Sequence, residues 1–370
     1  MNVDNPFLIR GYSGSEFFCD REQETAQMLA ALTNGRDVTL MSPRRYGKTG
    51  LIHNVFAQMP SSYKTVYIDI FTTQTLSDFT RLFASSVVGA LDTNVERAMS
   101  WAVKAFRSCR PTVTPQESGW PKFSFDVVEA NAEVTLREAF DYLKARNRKV
   151  VIAIDEFQQI LEYPERGTEA LLRSQIQFLP NVHFVFAGSR HHLMRDMFMT
   201  PRHPFYQSSD ILSLSVIDRS RYAAFARGFF NGAGKPFEDE AFGALYDRFD
   251  GVTWYVQMVL NRLWQTGEGL TDRAQVDEAV QLIVGVRDFE YADLLASQSE
   301  ASRRLLRAIA AARVVAEPQS GEFTARARLG AASTVRSALK SLESKDLVYR
   351  TPMGFIVYDR FFGEWLASRQ

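Results

Sequence analysis

This 370-residue sequence is poor in cysteine and has no excess of charge of either sign. Cys19 and Cys109 lie far apart, with no C-x-x-C pair and no cluster of metal ligands around them. This sparse use of cysteine fits a reducing compartment. Lys plus Arg and Asp plus Glu both number 43, so any charge that serves a nucleic-acid or membrane partner must be local.

Long apolar runs are also missing. No stretch approaches the roughly 20 residues that span a bilayer, and residues 1–6 have neither the basic region nor the apolar core of a signal peptide. We therefore expect a soluble, cytoplasmic protein without a membrane partner. The length allows two or three domains, each with a core of its own.

The most informative stretch is residues 40–49, LMSPRRYGKT, in which an apolar strand leads into a glycine turn and then into a helix that begins near Gly50. Apolar residues recur at helical spacing from Leu51 onward. This order is typical of a phosphate-binding loop, because the N–H groups and the dipole of the helix N-terminus favour an anion. An ordinary strand-turn-helix with a solvated lysine is the alternative, and the apolar context argues against it.

Three residues of this stretch have specific expected roles in binding the nucleotide. Lys48 can reach the β- and γ-phosphates of ATP, Thr49 can place its hydroxyl on Mg²⁺, and Gly47 lets the backbone approach the phosphates. Ser42 departs from the usual pattern, since it stands where the first glycine of G-x-x-x-x-G-K-[ST] is expected. The candidate nucleotide-binding residues of the loop are Pro43, Arg44, Arg45, Tyr46, Gly47, Lys48, Thr49 and Gly50.

A second chemical element is the run VVIAIDEF at residues 150–157, an apolar strand that ends in two acids. Open α/β sheets bind their ligands at the carboxyl ends of the strands. We expect Asp155 to hold the Mg²⁺ shell and Glu156 to orient and polarise the water that attacks the γ-phosphate. Ser189 ends the next strand and could reach that water or the phosphate; a simple strand-end turn residue is the equal alternative.

Further apolar runs at residues 65–71, 149–155, 182–188 and 211–217 predict four more strands, separated by helical or loop sequence. Because these runs are apolar on both faces, we expect a parallel sheet covered by helices. Between residues 91 and 148 the pattern predicts an insertion, with loops at 110–115 and 118–121 and a helix at 134–145.

Residues 17–24 precede a helix that carries Met28, Leu29 and Leu32 on one face and ends at Asn34-Gly35, with Gly35 as the C′ residue. This aromatic-arginine element could pack on the base of a nucleotide, which makes Arg21 a candidate nucleotide-binding residue. An N-terminal cap on the core, with Arg21 paired to a nearby acid, is equally consistent with the sequence.

Taken together, these motifs resemble the archaeal-ATPase-like family of P-loop ATPases related to the AAA+ and STAND proteins. The resemblance runs through residues 18–24, 43–49, 154–157, 187–194 and 204–207 to a C-terminal block that ends YDRFF at 358–362. It implies a nucleotide-binding sheet at 1–217, a helical lid at 218–295 and a winged helix at 296–370. Related lids carry a glycine-x-proline near the adenine, but Gly251-Val252-Thr253 has threonine in the proline position, so that role is not assigned.

The proposed lid contains four amphipathic stretches at residues 221–230, 239–249, 254–264 and 274–284. Its aromatic residues are expected to form core. The resemblance also places Arg202 near the region where such ATPases present an arginine to the γ-phosphate of a neighbouring subunit, which would require an oligomer. An isolated surface arginine is the commoner explanation.

Charge becomes local in the last seventy residues, where 12 Lys and Arg face six Asp and Glu. Helices are predicted at 305–311 and 324–329, and a third begins at an expected N-cap, Ser333, with apolar residues at i, i+3, i+4 and i+7 from Val335. Arg336 and Lys340 lie on its open face. Strands at 347–351 and 355–358 flank a turn as a wing hairpin. This is a winged-helix pattern in which Arg336 and Lys340 are candidates for contact with duplex DNA; a protein-docking role is equally open.

The sequence therefore predicts an α/β P-loop NTPase of AAA+ type that binds ATP or ADP with Mg²⁺ and hydrolyses ATP. Lys48, Glu156 and Ser189 are the expected catalytic residues. The alternative is a slow switch in which ATP binding, with little turnover, exposes a surface of the winged helix for a protein partner. A substrate-modifying kinase is a distant third, because no acceptor-site signature accompanies the loop.

Overall fold

The computed structural model describes residues 4–91, 94–114 and 122–369. The chain divides into two compact units. The first is Arg10–Ile217, and the second begins at Asp218 and includes the N-terminal segment up to Ile9. No helix in the described part of the chain combines the length and the apolar character that crossing a membrane requires.

The first unit is built on five parallel strands, as the apolar runs predict. They lie side by side in the order β2-β5-β6-β1-β7, and every neighbouring pair is parallel. A separate antiparallel hairpin is formed by β3 and β4. The strands are β1 (Val38–Met41), β2 (Tyr63–Asp69), β3 (Pro111–Thr114), β4 (Lys122–Phe125), β5 (Lys149–Asp155), β6 (Val182–Gly188) and β7 (Asp210–Ser213).

Helices cover both faces of this sheet, since alternate side chains of the central strands enter two different clusters. Ile152 and Phe184 face the larger cluster, whereas the next residues along, Ala153 and Val185, face the smaller one. This explains why the central strands carry apolar residues at consecutive positions and not only at alternate ones. The helices of the unit are α1 (Glu22–Thr33), α2 (Lys48–Gln58), α3 (Leu76–Leu91), α4 (Val95–Ala105), α5 (Ala132–Arg146), α6 (Thr168–Ile176) and α7 (His191–Met199).

Most predicted elements of this unit are found, and the differences have local causes. The runs at 65–71 and 211–217 form strands at Tyr63–Asp69 and Asp210–Ser213. The predicted loop at 110–115 is wrong, because Pro111–Thr114 pairs with β4. Proline is tolerated there as the first residue of a two-stranded hairpin, where one side of the strand needs no N–H donor. The predicted loop at 118–121 lies outside the described residues.

The second unit begins with the helices expected of a lid. Four of them match the predicted stretches within two residues at every boundary, and a fifth, Asp288–Ala296, is absent from the prediction. Phe7 is fully buried here and its ring packs within 6.2 Å of Phe225, Phe229, Phe230 and Trp264. The helices are α8 (Arg219–Gly232), α9 (Asp239–Arg248), α10 (Thr253–Thr266), α11 (Arg273–Val286) and α12 (Asp288–Ala296).

The same unit continues into three helices, a hairpin and a final helix. Arg248 on α9 makes ion pairs of 2.6 Å with Asp277 on α11 and with Glu364 on the final helix. These contacts join the predicted lid and the C-terminal domain in one unit, and the boundary at residue 296 stays a prediction. The elements are α13 (Glu300–Ala312), α14 (Gly321–Arg326), α15 (Ala332–Ser344), β8 (Val348–Thr351), β9 (Gly354–Val357) and α16 (Arg360–Ser368).

The third helix of the C-terminal domain, α15, has the expected buried stripe of Val335, Ala338, Leu339 and Leu342. The predicted N-cap is wrong: the helix starts after Ala331, and no side chain caps it. Ser333 lies inside the first turn instead. The hairpin of β8 and β9 forms the predicted wing.

Candidate functional site

The phosphate loop connects β1 to α2 and has the backbone that an anion site requires. Lys48 is the first residue of α2, and Gly47 caps the helix with φ of 90°. Arg45 also has a positive φ, of 72°. A Cβ on Gly47 would meet nothing within 4 Å. The backbone angle by itself favours glycine at this position, and close approach of the backbone to a phosphate stays a prediction.

Ser42 can replace the first glycine of the motif because its position does not require one. Ser42 is not among the described residues that have a positive φ. Its side chain is fully buried, its Oγ donates to the carbonyl of Pro43 at 2.9 Å, and its N–H donates to the carbonyl of Gly188 at 3.4 Å. The serine thus ties the start of the loop to the end of β6. Pro43 and Tyr46 lie in the loop itself, and Gly50 is in the first turn of α2.

Asp155 ends β5 directly opposite the start of α2. Thr49 donates through its Oγ to Oδ2 of Asp155 at 3.1 Å, so the two predicted metal ligands lie together. Tyr67 on β2 donates to the same oxygen at 2.7 Å. The carboxylate is buried, with 5% of the residue exposed. A hydroxyl and a carboxylate at this spacing are the oxygen ligands that Mg²⁺ prefers, so the residues present fit that ion.

Glu156 follows Asp155 with φ of 56°, which turns the chain out of β5 and into a 3₁₀ turn at Phe157–Glu162. Its Oε2 accepts hydrogen bonds of 2.6 Å from Ser189 Oγ and from Gln158 Nε2. Its Oε1 lies 3.9 Å from Nζ of Lys48. Although burial raises the pKa of Glu156, these two hydrogen bonds and the nearby positive charges hold that pKa below its usual value. The carboxylate is therefore ionised at neutral pH.

Arg44 connects the loop to this carboxylate. Its Nε donates to Ser189 Oγ at 3.4 Å, and its guanidinium lies over the ring of Phe71 with 5.3 Å to the ring centroid. The loop, the end of β5 and the end of β6 thus meet at one place. The predicted residues that the structure brings together there are Arg44, Lys48, Thr49, Asp155, Glu156 and Ser189.

Arg21 has partners of its own. It is 4% exposed, makes an ion pair of 2.8 Å with Glu24 and donates to the carbonyl of Ser215 at 2.6 Å. This is the arrangement of the alternative expectation, in which the arginine pairs with a nearby acid. These contacts explain why Arg21 is buried. Because its charge is already paired, contact with a nucleotide base is the weaker assignment for Arg21.

The remaining candidate residues lie on exposed surfaces. Arg202 follows α7, is 72% exposed and makes an ion pair of 2.7 Å with Asp196. Arg336 and Lys340 are exposed on α15, and Nε of Arg336 donates to Gln319 at 3.1 Å. These three side chains are accessible to a partner molecule, and their contacts within the chain do not indicate which one.

Sequence reasoning missed Tyr67, Gln158 and Phe71. Tyr67 reads as one more apolar position of a strand, yet burial and the neighbouring Asp155 raise its pKa, so its hydroxyl stays protonated and can donate. Gln158 is 2% exposed and supports Glu156 from two residues along the chain. Its closeness in sequence to the two acids was the one available signal, whereas Phe71 reaches the site only through the fold.

Two family models match the chain. A model described as an ATPase domain predominantly from Archaea matches residues 18–259, and a model described as a probable winged helix domain matches residues 289–368. The first covers more than half of the chain and includes the phosphate loop and both acids of β5. No significant match to a curated protein is found.

Solved structures with a similar fold span nearly the whole chain. A Walker-type ATPase of Pyrococcus abyssi has a TM-score of 0.65 and 17% identity, over 98% of this chain and 99% of that chain. The ORC2 protein of Aeropyrum pernix has a TM-score of 0.55 and 17% identity, over 94% of this chain and 91% of that chain. At such low identity the likeness establishes the fold, a P-loop NTPase core with a C-terminal winged helix.

Proposed function

The chain belongs to the family of ATPase domains found predominantly in Archaea, and we propose that it binds ATP with Mg²⁺ and hydrolyses it to ADP and phosphate. The observation that carries this proposal is the meeting of Lys48, Thr49, Asp155 and Glu156 beside the N-terminus of α2. A cation for the phosphates, two oxygen ligands for Mg²⁺ and a carboxylate for the attacking water are recurring parts of sites that transfer a phosphoryl group to water.

The phosphate loop would bind the triphosphate. Backbone N–H groups of the loop and of the first turn of α2 point toward an anion at the helix start, and the helix dipole favours its charge. Lys48 is 7% exposed and has Glu156 as its nearby carboxylate. A phosphate would replace that carboxylate as the partner of the ammonium group, which is a strong charge-assisted interaction.

Thr49 and Asp155 are the residues that would hold Mg²⁺. The ion would neutralise part of the charge on the β- and γ-phosphate oxygens. Tyr67 donates to the same Asp155 oxygen as Thr49, so this second hydrogen bond would help to hold the carboxylate in one orientation. Such outer contacts orient a ligand and are part of a working metal site.

Glu156 would position the attacking water. Its carboxylate is ionised and is held by Ser189 and Gln158, so one face is fixed while Oε1 points toward Lys48. Ser189 in turn lies between Glu156 and Arg44. In this proposal the Ser189 hydroxyl would reach the attacking water or the γ-phosphate.

A direct test is isothermal titration of ATP and ADP into the protein and into Lys48→Ala. Loss of the ammonium group should weaken ATP affinity at least about 10-fold, because a charged contact to phosphate is removed. Lys64→Ala on β2 is the matched control and should bind ATP as the parent does. A folded Lys48→Ala protein with parental affinity for ATP would remove the phosphate-loop assignment.

The winged helix has a separate candidate function. Residues 301–370 carry 12 Lys and Arg against six Asp and Glu, and Arg336 and Lys340 project from the exposed face of α15. We propose contact with duplex DNA through these two residues. In the alternative, the domain docks on protein and nucleotide binding acts as a switch with little turnover. If the chain forms an oligomer, Arg202 is the candidate for contact with a neighbouring subunit's nucleotide.

A further inference from the structure

We propose that Arg44 contacts the γ-phosphate of ATP within its own chain and stabilises the negative charge that develops there during hydrolysis. The inference rests on the proposed function, since it assigns a role at the same nucleotide site. P-loop ATPases often need an arginine at this stage, supplied by the same chain or by another one. Here a residue of the phosphate loop itself would supply it.

The first support is the position of the side chain. Arg44 donates to Ser189, and Ser189 donates to the carboxylate of Glu156. Lys48 approaches the other oxygen of that carboxylate at 3.9 Å. If Glu156 holds the water that attacks the γ-phosphate, the guanidinium of Arg44, which is linked to Glu156 through Ser189, would lie close to the γ-phosphate.

The second support is how the side chain is held. Arg45 has a φ of 72°, so the loop turns directly after Arg44. The ring of Phe71 lies under the guanidinium at 5.3 Å, two residues beyond the end of β2. An aromatic face fixes a guanidinium without using its N–H groups. The guanidinium is therefore held by Phe71 and Ser189 and does not need a nucleotide contact to keep its position.

The third support is the number of Arg44 N–H groups that remain available to a phosphate. A guanidinium has five N–H groups, and in residues 4–91, 94–114 and 122–369 the hydrogen bond of Arg44 uses Nε alone. The two terminal nitrogens form a fork that matches two phosphate oxygens. The charge is also not cancelled by a close ion pair, since no carboxylate of the described residues lies within 4.0 Å of it.

The step that Arg44 assists is the transfer of the γ-phosphoryl group to water. The water oxygen forms a bond to the γ-phosphorus as the bond from that phosphorus to the bridging oxygen breaks, and ADP keeps the electron pair of the broken bond. One water proton stays on the phosphate and the other leaves through Glu156 to solvent. Negative charge grows on the γ-phosphate oxygens, where the fork of Arg44 would donate.

The test compares Arg44→Ala and Arg44→Gln with the parent in steady-state ATP hydrolysis and in titrations with ADP. We expect kcat to fall at least about 100-fold, because one preorganised donor to a transition state is worth that factor. KM for MgATP should change less than about threefold, and ADP affinity should be unchanged because ADP lacks the γ-phosphate. Arg36→Ala is the control: its guanidinium pairs with Asp210 at 2.6 Å on the surface, and its kcat should match the parent.

A mixing experiment decides whether the arginine acts within the chain. Glu156→Gln keeps Arg44 and is added in excess to Arg44→Ala. Activity should stay at the level of Arg44→Ala alone; recovery of turnover would mean that Arg44 acts across subunits and would overturn the proposal. Parental kcat in Arg44→Ala and Arg44→Gln would also overturn it, as would a matching loss of ADP affinity, which would make Arg44 a general part of the loop. These outcomes leave the Lys48→Ala titration as a separate test of ATP binding.

Discussion

Asp155 and Glu156 are neighbours in sequence, but their carboxylates have different surroundings. Asp155 accepts from two hydroxyl groups, those of Thr49 and Tyr67, and is 5% exposed. Glu156 accepts from Ser189 and Gln158 and lies near Lys48. Asp155 thus lies beside Thr49, the other proposed Mg²⁺ ligand, whereas Glu156 lies among cations and hydrogen-bond donors. Replacing the two acids should therefore have different effects.

We expect Glu156→Gln to bind MgATP with parental affinity and to lose at least about 100-fold in kcat, since positioning and polarising a nucleophile contributes about that much. Asp155→Ala should lose the gain in ATP affinity that Mg²⁺ provides, because a metal ligand is gone. Titrations with and without Mg²⁺, together with turnover assays, separate the two effects.

Glu133→Gln is the matched control for these variants. Glu133 lies in the first turn of α5, and its carboxylate pairs with Arg137 on the exposed surface of that helix. Its Mg²⁺ dependence and kcat should stay within about twofold of the parent. Full turnover in Glu156→Gln would show that another group orients the water.

Asp37, which immediately precedes β1, makes the stability of the fold depend on pH. The carboxylate of Asp37 accepts from the N–H of Phe184 on β6 at 2.8 Å, and its backbone carbonyl accepts from the N–H of Asp210 at 2.9 Å. Burial raises the pKa of Asp37 from 3.8 to about 6, although the bond from Phe184 and the charge of Arg173 oppose this shift. The folded protein thus holds a proton on Asp37 more tightly than the unfolded chain does.

The sign of the pH effect follows from this. A raised pKa in the folded state stabilises the fold fully below pH 3.8, and this stabilisation is lost as the pH rises through about 6. Asp37→Asn keeps the acceptor for Phe184 and removes the buried charge. At pH 7.5 we expect its free energy of unfolding to exceed that of the parent by up to about 3 kcal/mol, with the difference shrinking toward pH 4.

Urea unfolding at several pH values measures this difference. Asp210→Asn is the control, because its carboxylate pairs with Arg36 at the surface, where such pairs contribute about 0–1 kcal/mol. An Asp37→Asn protein that is less stable than the parent at pH 7.5 would show that the ionised carboxylate is favourable in the folded state.

Helix α15 is the element on which the DNA proposal depends. Arg336→Ala/Lys340→Ala should weaken binding to a labelled duplex and lower the slope of log affinity against log salt by roughly one unit for each lost phosphate contact. Both side chains are exposed, so the variant should keep its fold. Fluorescence anisotropy across a salt series measures both quantities.

Arg303→Ala/Arg304→Ala removes the same charge from α13, where both arginines pair with Glu300. This control should leave the salt slope closer to that of the parent. Equal slopes for the parent and for the α15 variant, or no binding at low salt, would favour a winged helix that docks on protein.

At the scale of the whole molecule, the question is whether nucleotide turnover responds to the partner of the winged helix. If the domain contacts DNA and the ATPase acts on that partner, duplex DNA should raise kcat several-fold in the parent. The α15 variant should lose this stimulation relative to its own turnover without DNA. Turnover that stays slow and unchanged in the presence of DNA would favour the nucleotide-gated switch. Molar mass by light scattering, with ADP and with a non-hydrolysable ATP analogue, would show whether nucleotide changes the oligomeric state.

Much of the architecture could be predicted because its signals are local. The apolar residues of β5 and β6 are buried on both faces of the sheet, so consecutive residues indicate the same environment. The glycine before Lys48 marks the start of α2, and the acids at 155 and 156 mark the end of β5, through residue type and spacing alone. The helices of the second unit were predictable for the same reason, since an apolar stripe at a period of 3.6 residues needs no distant partner to be recognised.

The tertiary structure decided which distant residues complete the site. Ser189 and Arg44 meet because β6 lies between β5 and β1 in the sheet, and Tyr67 reaches Asp155 because β2 pairs with β5. Ser42 can replace glycine because the backbone there does not take a positive φ. Phe71 contacts Arg44 only in the folded chain. Sequence alone determined the residue types and the strand ends that make a phosphate site. The contacts among them depend on strand order, which is set by long-range pairing and packing and leaves no local pattern to read.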